Sequence, residues 1–365
     1  MISYASPLKN MLQHRISCCT VCMNRTMHLK ETLLRNIQDN AGYQPLEFVL
    51  LNYGSADDLH EWVQQTLGAY IESGMLVYYH NPEPTYFHMS HAKNMAFRLA
   101  SGDILCSVDA DNYTGAGFAA YVNRVFNEET SAFLSPAGIG PGKKWWDVQG
   151  RVCLRKEDFR RLHGYDERVM DYGYEDQDFK SRLAGLGRKK VVIRDPAYLQ
   201  AIRHDDTMRV ASGFTTARMK DLLVGHYCEQ TSEVICLQND YTFERFFIDR
   251  DLLHYESTQE DILPKRRYAG TYQVRENDIR LYKENGSTYL QLTPQDEDTL
   301  LTADNRLFHR VTSPVLLNKF LLQRAIYLGR KIFFRNRKKP SCVNPEGYGR
   351  GKVYRNFSTD MLLLA

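Results

Sequence analysis

Apolar and polar positions over roughly the first hundred residues switch between two periods. "RISCCTVCM", "PLEFVLLNYGSADD", "MLVYYH" and "DILCSV" are short apolar, β-rich runs, the second ending in a polar loop that contains glycine. Between them lie helical patterns. "HLKETLLRNIQDN" sets Leu29, Leu33, Leu34 and Ile37 on one face and closes at Asn40 and Gly42; "LHEWVQQTLGAYIESG" follows, and "SHAKNMAFRLASG" opens at Ser90 and closes at Gly102. Strands and helices in alternation, with strands apolar throughout, predict a parallel sheet covered on both faces. Ligands of such sheets bind beyond the carboxyl ends of the strands.

One of those ends carries acids. "SVDADNYTG" delivers Asp109 and Asp111 from the fourth strand. Carboxylates at i and i+2 of an extended segment can converge, and hard oxygen ligands suit Mg²⁺ or Mn²⁺, which in turn can hold a diphosphate. A solvated turn is the plain alternative. A second acidic group, Glu175-Asp176-Gln177-Asp178, follows the turn "DYGY" and opens the helix "DFKSRLAGLG". Carboxylates are favoured there by the helix dipole, and glycine leaves the backbone open to a ligand. An ordinary acidic helix cap accounts for the same pattern.

Composition narrows the class. With 365 residues, 43% apolar and 25% charged, the chain is an ordinary globular sequence, long enough for one large domain and a smaller one. A formal charge of +3, without an RNA-binding motif or arginine-rich arm, argues against a nucleic-acid partner. The opening "MISYASPLKNMLQHR" lacks the apolar core of a signal peptide, and no run of eighteen apolar residues occurs, so the expected location is the cytoplasm. The eight cysteines fit reduced thiols there. Cys19-x-x-Cys22 has no second pair at zinc spacing and reads as part of a strand.

The motifs between Ile16 and about Asp205 resemble those of the GT-A glycosyltransferases, an α/β, Rossmann-like fold for nucleotide-diphospho-sugar transferases. The first half is similar to the family-2 type and the second to the β-1,4-galactosyltransferase type. "CMNR" resembles the loop whose arginine contacts the nucleotide, implying that role for Arg25. "LLNYGSADD" resembles "VVDDGSTD", where an acid touches uracil; here Asn52 stands in that place and Asp57 is the substitute. The resemblance also assigns Lys93 and Asp109 to the donor nucleotide. "DAD" is similar to the family's metal motif, with Asp111 the direct ligand beside Asp109. "YGYEDQD" resembles "GWGGEDDD", implying Asp176 as the base that takes the acceptor hydroxyl's proton, and Glu175, Gln177 and Asp178 as sugar or acceptor contacts. "YLQAIRHDDTM" resembles "RMIRH" and nominates His204 as third ligand of Mn²⁺ or Mg²⁺. Trp145 and Trp146, after the loop "SPAGIGPGKK", are expected to divide between stacking on a sugar and the core.

These resemblances imply a metal-dependent, inverting transferase that moves a sugar, of the galactose or N-acetylgalactosamine type, from a UDP-sugar to a saccharide or lipid-linked glycan. A catalytically silent sugar-nucleotide or glycan-binding protein with the same fold is the other reading. The GT-A domain is expected over 1–225. Residues 240–312 alternate apolar and polar positions with turns at "ENGS" and "PQDED", predicting a small antiparallel β module, an insertion if the tail 341–365 returns to the catalytic domain. "VLLNKFLLQRAIYLGRKIFFRNRKKP" predicts a basic amphipathic helix over 313–340, whose stretch 315–339 suits either peripheral contact with the inner face of a membrane or internal packing.

Overall fold

A computed structural model of the chain describes residues 11–137, 146–228, 230–254, 262, 264–339 and 343–365, and at Trp146 and Asp206 the backbone alone. It divides into two units: residues 1–170, 174–204 and 332–365, and residues 171–173 with 205–331.

The first unit contains strands β1 (Ile16–Cys22), β2 (Leu46–Tyr53), β3 (Leu76–Asn81), β4 (Ile104–Ser107), β5 (Asn112–Tyr113), β6 (Ala132–Pro136), β7 (Cys153–Arg155), β8 (Lys189–Ile193) and β9 (Gln200–Ala201). β1 lies between β2 and β4 and is parallel to both, with Ile16 level with Leu46 and Ile104. The apolar runs are continuous because the sheet is covered twice. Cys18, Phe48 and Tyr78 enter one core, while Cys19, Val49 and Val77 enter the other. Cys19 and Cys22 therefore face opposite cores, which gives neither a metal nor a redox geometry.

The second unit holds β10 (Met219–Cys228), β11 (Thr231–Gln238), β12 (Thr242–Ile248), β13 (Arg266–Val274), β14 (Ile279–Lys283), β15 (Thr288–Pro294), β16 (Thr299–Thr302) and β17 (Leu307–Arg310), closed into an antiparallel barrel. This moves the expected boundaries. β10 must pair with both β11 and β17 for the barrel to close, so the module begins near residue 205 rather than at 240, and the first domain does not extend to 225. Closure also leaves no sheet edge to protect.

β18 (Gly351–Arg355) and β19 (Met361–Leu364) belong to the first unit. β18 pairs antiparallel with β3, completing the sheet order β19-β18-β3-β2-β1-β4-β7-β6-β8. The long helix Pro314–Lys338 buries the apolar positions of its middle, while Val315 and Phe334 near its ends are exposed. Leu316 and Phe320 pack with Leu222, Val234 and Phe246, and Leu321 and Leu322 pack with Val210. Among the described residues, no helix is long and apolar enough to cross a membrane.

Candidate active site

The loop after β4 is held by one face of the helix Thr26–Asn40. His28, Thr32, Asn36 and Asn40 recur every four residues and are all buried. Thr32 Oγ1 donates to the Ala110 carbonyl (2.7 Å) and Asn36 Nδ2 to that of Asn112 (2.9 Å), while Asn36 Oδ1 accepts from the Thr114 amide (2.7 Å). Asn40 Oδ1 accepts from the Ala119 amide at 2.8 Å. The loop carrying Asp109 and Asp111 is thus fixed by amide and hydroxyl side chains that read, in sequence, as interruptions of an apolar helix.

β9 pairs with β5, and the Ile202 amide donates to the Asp111 carbonyl at 2.8 Å. This brings His204 Nε2 to 2.8 Å from Asp111 Oδ2. Asp109 turns elsewhere. Its Oδ1 lies 3.7 Å from Lys93 Nζ, and its other oxygen sits where a Cβ on Gly150 would stand, so only glycine leaves it room. Among the described residues, no three His, Cys, Asp or Glu side chains converge to hold a metal ion. Of the expected set, Asp111 and His204 are brought into contact, while Asp109, on the same loop, faces the lysine charge.

Lys93, on the helix Met89–Leu99, is the centre of a second group. Its buried ammonium lies 3.0 Å from Asp176 Oδ1 and 3.8 Å from Glu175 Oε1. Burial works against this charge, but Asp176, Asp109 and Glu175 outweigh it and hold the lysine well above its usual pKa. Burial pushes Asp109 up to about 6, with Lys93 opposing and Asp176 and Asp111 reinforcing. Glu175 is pushed up to about 8, first by burial and then by the charge of Asp176. At neutral pH Glu175 therefore keeps its proton, while Asp176 beside it lies within ion-pair distance of the lysine.

Local backbone places them there. Gly173 (φ 101°) and Tyr174 (φ 70°) both take left-handed conformations, turning the chain so that Glu175 and Asp176 open the helix Glu175–Gly185 with their carboxylates at its positive end.

Residues 143–205 match the family model described as the N-terminal domain of galactosyltransferase. The matched stretch includes Gly150, Glu175, Asp176 and His204. Comparison with curated proteins gives no match. Among solved structures, similarity is found to a mannosyltransferase from Pyrobaculum calidifontis in complex with GDP-Man and Mn²⁺, with 20% identity, TM-score 0.42, and 50% of this chain and 56% of that one covered. The 1–349 fragment of Staphylococcus aureus TarS gives 18%, 0.42, 50% and 59%. The catalytic domain of Drosophila β1,4-galactosyltransferase 7, in complex with xylobiose, gives 14%, 0.38, 78% and 95%. The overlap thus spans a little over half of the first two proteins, and at these scores none of the three assigns a residue or a substrate. The expected α/β architecture is present in the nine-stranded sheet, which is parallel through β3, β2, β1 and β4.

Other expected contacts fall differently. Asp178 is fully buried, bonded to Arg182 Nε (2.7 Å) and Asn336 Nδ2 (2.8 Å), which leaves it no role as an acceptor contact. Asn52, also buried, accepts from the Ser55 amide and donates to the Tyr78 hydroxyl, so it shapes the loop after β2 instead of reaching a base. Asp57 Oδ2 accepts from the Thr26 amide at 3.0 Å, beside Arg25 at the start of that helix, while its Oδ1 is buried without a partner. Gln177 is half-buried on the helix Glu175–Gly185. Trp145 and the Trp146 side chain lie outside the described residues.

Three site residues escaped the sequence reading. The His28 ring lies 5.9 Å from that of His204, with Nδ1 buried and unpartnered. Burial, then the charge of Arg25, pushes its pKa down, so it stands neutral beside the Asp111–His204 pair. Arg151, fully buried, donates to the Tyr198 carbonyl and to Asn112 Oδ1, tying β7 to the acid loop. Tyr165 packs its ring 5.4 Å from the Lys93 ammonium and keeps its hydroxyl unpartnered.

Proposed function

We propose that this protein is a metal-dependent, inverting glycosyltransferase that moves a sugar from a UDP-sugar to a hydroxyl of a saccharide or lipid-linked glycan. The observation that carries this reading is the division of labour at the start of the helix Glu175–Gly185, within the stretch that matches the galactosyltransferase model. Asp176, 3.0 Å from the Lys93 ammonium, is the base for the acceptor hydroxyl. Glu175, still protonated at neutral pH, donates a hydrogen bond to a sugar oxygen. Lys93 steadies the aspartate before and during proton uptake.

Asp111 and His204, a carboxylate oxygen and an imidazole nitrogen already 2.8 Å apart, are a donor set that fits Mn²⁺, with Asp109 on the same loop as the further carboxylate. Such an ion, when bound, supplies Lewis-acid stabilisation of the departing diphosphate. Arg25, just before the helix Thr26–Asn40, and Asp57, which accepts from the first amide of that helix, are the donor-side contacts in this reading. Galactose or N-acetylgalactosamine is the favoured sugar on the motif resemblance. The exposed end of the long helix, Phe334 with Arg335, Arg337 and Lys338, is suited to a peripheral anionic surface if the acceptor is lipid-linked.

Incubation with a panel of UDP-sugars and Mn²⁺, following UDP release with and without saccharide acceptors, tests the reading. Metal-dependent release from one UDP-sugar is expected. No release from any sugar nucleotide in the presence of acceptors would leave a binding protein in its place.

A further inference from the structure

The barrel carries a second constellation, in the unit that holds none of the residues above. Leu223, Ile235, Phe243, Tyr272, Leu281, Leu292, Leu300 and Phe308 come from all eight strands and form one cluster, so they mark the barrel's interior. Following the two-residue period from them toward one end gives Tyr227 on β10, Glu233 on β11, Arg245 and Phe247 on β12, and Tyr268 on β13. Tyr289 on β15 and Arg306, just before β17, join them.

Glu233 is fully buried and organises the group. Its Oε1 accepts from Arg245 Nε (2.7 Å) and from the Tyr289 hydroxyl (2.5 Å), and its Oε2 accepts from Arg306 Nη1 (2.8 Å). The Arg245 guanidinium is stacked between the rings of Phe247 and Tyr289, 4.2 and 4.3 Å from their centroids, with Tyr268 at 5.4 Å. Among the described residues, the two terminal nitrogens of Arg245 carry no hydrogen bond, although its Nε and both faces are fixed. Tyr227 and Tyr268 flank Phe247 and are 51% and 49% exposed.

Stability alone does not account for this arrangement, because a buried ion cluster gains little over apolar side chains of the same volume. A guanidinium held in one plane with its terminal edge uncommitted matches a carboxylate or phosphate group. Half-exposed tyrosine faces beside it match the C–H face of a sugar ring, with the hydroxyl left for a polar partner. Barrel mouths are recurrent ligand sites. We propose that this end of the barrel binds a saccharide bearing a carboxylate or phosphate, its ring on Tyr227 or Tyr268 and its anionic group on Arg245.

The test is calorimetric titration of the full chain with tetragalacturonate, with a hexose 6-phosphate and with neutral maltotetraose. Saturable binding of an anionic probe is expected, weakening as salt is raised, with the neutral oligosaccharide at least roughly tenfold weaker. Which anionic probe binds separates carboxylate from phosphate recognition. Tyr268→Ala and Tyr227→Ala should each weaken binding by roughly threefold to tenfold at an unchanged melting temperature. Arg245→Lys, which retains charge but not the planar fork, should erase the preference for anionic probes. Failure of both anionic probes at millimolar concentration overturns the proposal, as does equal binding of the neutral one. Binding that survives both tyrosine substitutions belongs to another surface and overturns it equally. No readout involves sugar transfer, so the outcome is independent of whether the chain is a transferase.

Discussion

Glu175 in the sheet unit and Glu244 in the barrel unit are equally buried glutamates whose proton affinities move in opposite directions. Burial raises both. Glu175 then meets the like charge of Asp176 and goes up to about 8, whereas Glu244 is overruled by Arg324 and Arg267 and falls below the usual carboxylate value. The reason is the count of neighbours. Around Lys93, one cation serves Asp109, Glu175 and Asp176. Around Glu244, Arg324 Nε and Arg267 Nη2 lie at 2.5 and 2.6 Å, and Arg324 also bonds Asp171. A balanced buried network fixes a shape; an unbalanced one stores a proton in one acid and an available carboxylate in its neighbour.

The largest expected effect breaks the unbalanced side. Asp176→Asn preserves size but cannot accept a proton, so transfer should fall by about 10²- to 10⁴-fold while UDP-sugar affinity changes little. Rapid-quench turnover together with donor titration measures the split. If donor binding collapses in parallel, or transfer persists, Asp176 is not the base.

On the balanced side, Arg324→Met removes the cation shared by Glu244 and Asp171. Leaving Asp171 without its cation and Glu244 with Arg267 alone should cost about 3–5 kcal/mol, read by denaturant unfolding. A loss under about 1 kcal/mol would mean that water reaches this network, and the contrast with the Lys93 group would lose its basis. Between the two in chemistry but smaller in size stands Gly150→Ala. Its Cβ would displace the Asp109 carboxylate, with an overpacking cost of about 1–3 kcal/mol. Weaker Mn²⁺ binding, followed by the ion's relaxation effect on water, is expected alongside. Unchanged affinity would remove Asp109 from the ligand set.

Much of this contrast was readable in the chain. The apolar runs of β1 to β4 name a doubly covered sheet because nothing but burial on both faces tolerates such runs, and the acids at their ends stand out against them. The His28–Thr32–Asn36–Asn40 stripe is also present at four-residue spacing, but polar residues opposite an apolar face read as a solvated surface, and only the partners across the fold make them buried. Asp178 misled for the opposite reason. Its place in an acidic motif says nothing of Asn336, a residue distant in sequence whose side chain satisfies it. The barrel was foreshadowed as a β module. Its closure was not, since β10 pairs with β17 across more than eighty residues and no local pattern encodes that partnership.

The smallest effect is also the most direct comparison of the two glutamates. Glu175 keeps its proton in the folded protein up to a pH of about 8, whereas in the unfolded chain it loses it near the ordinary value of about 4.3. Between those values the folded state binds the extra proton, so this residue's contribution to stability is full at the acid end and is lost as pH rises through the folded pKa. Glu244 has the opposite sign: its contribution is present above the unfolded value and is lost as pH falls through its depressed folded pKa. Glu175→Gln should therefore remove a decline in melting temperature between mildly acidic and mildly alkaline pH. Glu244→Gln should lower the melting temperature throughout that range and flatten the curve on its acid side. Differential scanning fluorimetry across the range, on both variants and the unaltered chain, measures the slopes. If Glu175→Gln declines with pH as steeply as the unaltered protein, Glu175 is ionised in the fold, and the division between proton store and carboxylate at this site is wrong.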